Sequence, residues 1–203
     1  NNPTIVPVSM YPSSWGSGTA PGSYVVQDLG NHLKDPCLST TLNTLLNGNC
    51  KTWLMQLIND MFGAGGNFNI NFEEKTALQM PAVNYMGFMD PASSSFNGEP
   101  NGPNRSGNIT VYLNADSLKG ASKELQAAVI LHESIHAIFF ARGLNALTQH
   151  DLMAESYRDK ISESLQEYFP NLSATDAAAL SWEGLQFTYD WNMASLRGTP
   201  SLS

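Results

Sequence analysis

Positive charge is scarce in this chain. Ten Lys and Arg face eighteen Asp and Glu across 203 residues, giving a formal charge of −8 at pH 7 and a pI near 4.8. A surface of that sign is not built to hold a phosphate backbone or an anionic lipid leaflet, so nucleic acid is not an expected partner. Long hydrophobic runs are missing too. No window approaches the roughly twenty consecutive apolar residues that a transmembrane helix needs, so no span is expected. Cysteine is limited to Cys37 and Cys50. Asp35-Pro36 reads as an N-cap followed by proline at the first helical position, and Leu38, Leu42, Leu45 and Leu46 follow at helical spacing. A helix running to Asn47-Gly48 separates the two thiols by roughly 15–20 Å, whereas a disulfide needs Cα atoms within about 7 Å. Two free thiols are expected.

What the chain does contain is core-forming material: 42% hydrophobic residues and four Trp, enough for one folded domain. Residues 1–23 are crowded with Pro, Ser and Gly and have no periodicity, which is the composition of a linker or a wrapping segment. They are expected to be extended, with a single domain over 24–203. Helices are expected at about 36–47 and from Asn49 or Lys51 to Phe62. Asn67–Phe72 alternates strictly and reads as a strand, and Asn108–Asn114 (NITVYLN) is the strongest strand in the sequence. A short strand is expected around Val83–Met89, with 93–107 as a flexible loop. Met80, Met86 and Met89 are expected to fill gaps in the core. Thr148 is read as the N-cap of a helix reaching Tyr168, and Ser173 as the N-cap of a last segment that breaks near Gly184, with Trp182 and Trp191 packing on the core. Helices, a few strands, then helices again make an α+β fold, with a small, mostly antiparallel sheet beside one central helix and further helices on both sides.

That central helix is Leu125–Gly143, LQAAVILHESIHAIFFARG. Four residues turn a helix through about 400°, so His132 and His136 point the same way and can close on one metal ion. Glu133, about 100° round, reaches the edge of the same site. This is the H-E-x-x-H pattern, in which two imidazoles take zinc and the glutamate serves a bound water. A helix apolar on all sides rarely buries two imidazoles and a carboxylate without a partner for them, which weighs against a purely structural role.

Zinc requires a third protein ligand, and two candidates compete. His150 follows Gly143 across a segment, Leu144–Gln149, that spans roughly 20 Å when extended and so brings it back to the helix. Glu155 is the rival, with Asp159 four residues on as a support for one of the histidines. The two lie about 140° apart on one helix and cannot both reach the metal. His150 is preferred, because neutral imidazole is a good zinc ligand and three of the four histidines then meet; His32 is left structural or exposed.

His132-Glu133-x-x-His136 inside a long helix resembles the zincin metallopeptidases. His150-Asp151-Leu152-Met153-Ala154 is similar to the distal histidine and following helix of SprT-like zincins. The VYLN strand, the HESIHA helix, QHDLMAESY and LSWEGL together resemble zincin-like domains at the C-termini of secreted or lipid-anchored Bacteroidetes proteins, over roughly residues 35–190. A thermolysin-type arrangement matches Glu155 and Asp159 in spacing, but Ala154 stands where those enzymes carry Asn. The metzincin histidine is missing.

The resemblance implies a zinc-dependent peptidase (a hydrolase) with His132, His136 and His150 on Zn2+ and Glu133 as general base. Tyr157, Arg158 and Tyr189 are the candidates for holding the oxyanion, and the 108–114 strand for aligning an extended peptide by strand addition. It also implies a secreted, periplasmic or cell-surface location, a monomeric lipoprotein or longer precursor, and a protein or peptide substrate. Two alternatives stand beside it: a zinc-binding, non-catalytic interaction module, and a secreted effector or toxin peptidase with one narrow target.

Overall fold

The computed structural model describes residues 29–47, 52–63, 67–99, 105–144 and 146–196. Cys50 and the linker expected over 1–23 lie outside them. The chain runs β1 (Leu29–Asn31), α1 (Pro36–Asn47), α2 (Trp53–Phe62), β2 (Phe68–Lys75), a 3-10 turn at Ala77–Gln79, β3 (Gly87–Asn97) and β4 (Ser106–Asn114). It continues with α3 (Ala115–Leu118), α4 (Lys123–Ala141), α5 (Ala146–Ser156), α6 (Arg158–Tyr168), α7 (Ala174–Leu180) and α8 (Tyr189–Leu196). The class is α+β, as expected. No helix among the described residues is long and apolar enough to cross a membrane.

Helix boundaries follow local chemistry. Asp35 Oδ1 accepts the backbone N–H groups of Cys37 and Leu38, so Pro36 does open α1, and Cys37 is exposed and free on its first turn. Ser122 caps α4 by accepting from Leu125 N–H at 3.2 Å. Gly143 (φ 71°) ends it: its N–H reaches Phe140 O and Leu144 N–H reaches Phe139 O, both at 2.9 Å, the paired bonds of a Schellman cap. Two boundaries differ from expectation. Thr148 is not an N-cap, because α5 has already begun at Ala146. The helix expected to reach Tyr168 is also broken at Tyr157 (φ −119°, ψ −18°) into α5 and α6.

The sheet has the order β1-β2-β4-β3. It is mixed rather than mostly antiparallel, since β1 pairs with β2 and β2 with β4 in parallel, and only β3 runs antiparallel to β4. The long connection through α1 and α2 allows the parallel β1–β2 pair, which no tight turn can make. β4 is therefore an inner strand with both edges occupied. Three consecutive residues, Ile109, Thr110 and Val111, are buried; Thr110, on the face where Asn108 is exposed, is covered by β3, its Oγ1 donating to Ser93 O at 3.1 Å.

β3 forms one edge of the sheet and β1 the other, and β3 is longer than its polar sequence suggests. Residues 93–97, expected in a loop, are strand, and the register shift between Asp90 and Ser95 absorbs Pro91. Ser94 Oγ there accepts the Thr110 N–H at 3.1 Å. Met80 and Met89 are buried, as expected of gap-fillers.

Helix α4 lies across β3 and β4 and packs also on α1, α2, α5, α6 and α7. Nearly every side chain from Gln126 to Ala141 is buried, which is what an all-round apolar helix requires. Its one buried amide is satisfied: Gln126 accepts from Thr41 Oγ1 at 2.8 Å and donates to Leu118 O at 3.1 Å.

Candidate metal centre

Because α4 is enclosed, the polar side chains of HESIH are driven into one place. His132 and Glu133 are buried at 5% and 6% exposure, and His136 is half-buried. Ser134, pointing elsewhere, returns its hydroxyl to Ile130 O at 2.7 Å and takes no part.

The third histidine arrives from α5. His150 stands on the second turn of a helix that starts almost at once after the Gly143 cap, so the long extended crossing considered from sequence is not needed. His136 Nε2 lies 3.0 Å from both His132 Nε2 and His150 Nε2. The ligand atoms of all three fall within 4.8 Å of one another. Glu155 is exposed and outside this group.

The residue before His150 supplies a contact that the sequence reading did not assign. Gln149, buried, accepts from His136 Nδ1 at 2.7 Å through Oε1, while its Nε2 donates to Leu144 O at 3.1 Å. The second bond fixes which way the amide faces, so its oxygen meets the ring and the proton of His136 sits on Nδ1. Nε2 is left with its lone pair directed at the other two imidazoles. Asp159, expected to do this orienting, is exposed and paired instead with Arg158.

Electrostatics favour the neutral, ligating form of each ring. Burial, then the neighbouring histidines, holds His132 well below the ordinary imidazole range. Burial takes His136 down to about 4, with the Gln149 contact acting the other way, and burial lowers His150 too, against the pull of Asp151. Three neutral rings with nitrogen atoms converging, and no carboxylate among them, form a donor set suited to a borderline-soft divalent cation. Tetrahedral zinc with Zn–N of about 2.0–2.1 Å sets its nitrogen ligands about 3.3 Å apart, close to the 3.0 Å that separates His136 Nε2 from each of the other two. The residues fit such an ion.

Glu133 faces the β3 edge of the sheet. A Cβ on Gly87, the first residue of β3, would lie 2.5 Å from Glu133 Cγ and 2.8 Å from Oε1, so the carboxyl rests on bare backbone. Burial pushes its pKa up to about 8; the Met89 N–H acts against this and the Glu183 carboxylate adds to it. Glu183 belongs to the turn after α7, where its own pKa is raised by burial. Next to it, Gly184 packs against the His132 ring.

The three candidates for a second oxyanion donor sit in different surroundings. Tyr157 is buried between Trp53 and Phe139, with ring centroids at 5.8 and 5.1 Å. Arg158 stacks 4.7 Å over Trp182, and Tyr189 is 70% exposed. Trp182 and Trp191 pack edge to face at 5.3 Å, as expected of core residues, and His32 is exposed. No protein-family model, curated protein or solved structure matches this chain.

Proposed function

We propose that this domain is a zinc-dependent metallopeptidase of zincin type, acting on an extended protein or peptide segment at or outside the cell surface. The observation that carries the reading is the convergence of three imidazole nitrogens within 4.8 Å beside a buried glutamate that is not one of them. A purely structural zinc site is closed by four protein ligands and has no use for a neighbouring base, whereas a hydrolytic site keeps a position open.

Zinc, when bound, supplies Lewis acidity and brings the pKa of a water towards neutrality. The chain's own residues do the rest. His132, His136 and His150 offer Nε2 lone pairs, and Gln149 keeps the His136 proton on the far nitrogen. Glu133 takes the proton of the attacking water and returns it to the leaving amine, a role open to a buried carboxyl beside the three rings that is not itself one of the ligands.

The substrate's backbone is aligned on β3, not on β4 as the sequence reading had it. β4 has no free edge, while β3 has one and passes directly over Glu133. Peptide as the substrate class also agrees with the apolar side chains left exposed nearby in sequence: Val83 and Tyr85 lead into Gly87, and Phe187 and Tyr189 follow Gly184.

The test is digestion of a broad peptide library by the native chain and by Glu133→Gln, each loaded with zinc. Cleavage should fall at least about a thousandfold in the variant while zinc is retained, consistent with general-base catalysis acting with water activation. Equal cleavage by both would remove Glu133 from the mechanism.

A further inference from the structure

The two histidines of α4 differ in how their second nitrogen is held. His136 Nδ1 has Gln149, but His132 Nδ1 is sealed from solvent without a hydrogen bond of normal geometry. Once Nε2 gives its lone pair to a metal, the only proton of a neutral imidazole sits on Nδ1, and a buried N–H without an acceptor is costly.

The backbone group facing that ring is the Glu183 carbonyl. It belongs to the turn after α7, closed by Leu185 N–H on Trp182 O at 2.9 Å and pinned by the buried Trp182 against Trp191. Gly184 adopts φ 75°, and a Cβ there would stand 2.6 Å from His132 Cε1 and 2.9 Å from Nε2. Position 184 is thus restricted twice, by a left-handed backbone and by the imidazole face. Only glycine allows the turn to sit this close.

We infer that the Glu183–Gly184 turn is part of the metal centre: the Glu183 carbonyl accepts the Nδ1–H of His132, and Gly184 is the positioning residue that seats it there. The inference rests on the histidines being zinc ligands. A peptide carbonyl held by a closed turn fixes the ring without a mobile side chain, so His132 is oriented by backbone and His136 by an amide.

Gly120 provides a matched control, because it has φ 81° and nothing within 4 Å of where its Cβ would stand. Both Gly184→Ala and Gly120→Ala introduce left-handed strain, but only the first meets His132. Zinc affinity measured by chelator competition should fall about 10–100-fold in Gly184→Ala and stay within about twofold in Gly120→Ala.

Equal affinities in the two variants, with the native chain binding zinc, overturn this inference alone. A native chain that binds no zinc overturns it together with the peptidase reading. If Gly184→Ala does not fold, the unsubstituted zinc-loaded protein decides by proton NMR. The His132 Nδ1–H should then be a downfield, slowly exchanging signal, and exchange as fast as that of the exposed His150 ring would overturn the assignment.

Discussion

Removing the metal should leave a domain whose stability falls as the solution passes from neutral to mildly alkaline, and Glu133 is the reason. Its carboxyl ionises at about 8 in the fold, against an ordinary value of 4.5. Between those values the folded chain holds a proton that the unfolded chain has released, so rising pH favours unfolding. The histidines pull the other way over a lower range. His136 ionises at about 4 in the fold against 6.5, so the unfolded chain binds the extra proton and stability rises with pH up to about 6.5. His132 and His150, also lowered, act in the same direction.

Above 6.5 the histidines are largely neutral in both states and Glu133 carries the decline, with Glu183, raised by burial, pulling in the same direction. One proton over about 1.5 pH units, at about 1.4 kcal/mol each, amounts to a loss of about 2 kcal/mol between pH 6.5 and 8. Urea unfolding of chelated protein at half-unit pH steps measures this directly. The curve should peak near pH 6.5, and Glu133→Gln should keep the acid limb while losing most of the alkaline one. A native curve that is flat or rising from 6.5 to 8, or an unchanged decline in Glu133→Gln, would refute the burial argument.

Two other side-chain contacts carry consequences of their own. Gln149→Leu preserves bulk but orphans His136 Nδ1 and the Leu144 carbonyl, and zinc affinity by calorimetric titration should drop about 10–100-fold. Gly87→Ala puts a methyl 2.5 Å from Glu133 Cγ without touching the histidines. Peptide hydrolysis should fall about a hundredfold, as expected for an ångström-scale displacement of a reacting group, while zinc affinity changes by less than about threefold.

The parts of this site that are legible in the sequence are the local ones. His132 and His136 meet because a helix returns every four residues, a fact independent of the rest of the fold. His150 could be proposed because a cap and a short connection limit how far the chain strays. Gln149 carried no such signal: glutamine before a histidine is not a pattern, and its role exists only once α5 is folded back on α4.

The same applies to Gly87 and Gly184, which are distant in sequence from the side chains they accommodate. The sheet was misread for a related reason. NITVYLN identifies β4 as a strand but says nothing of its neighbours, whereas Pro91 and the serines of β3 hid an edge strand that tolerates them. Strand order is decided by connections through α1 and α2, and residue periodicity does not report it.

The central claim is that three imidazoles hold one zinc ion, and metal analysis across a small variant series tests it most directly. Protein purified without added metal should carry about one zinc per chain, the number of such sites that one tetrahedral centre provides. Zinc should be lost in His132→Ala and His150→Ala and retained in Glu155→Ala. A native chain without zinc, or zinc retained in His150→Ala but lost in Glu155→Ala, would contradict the account.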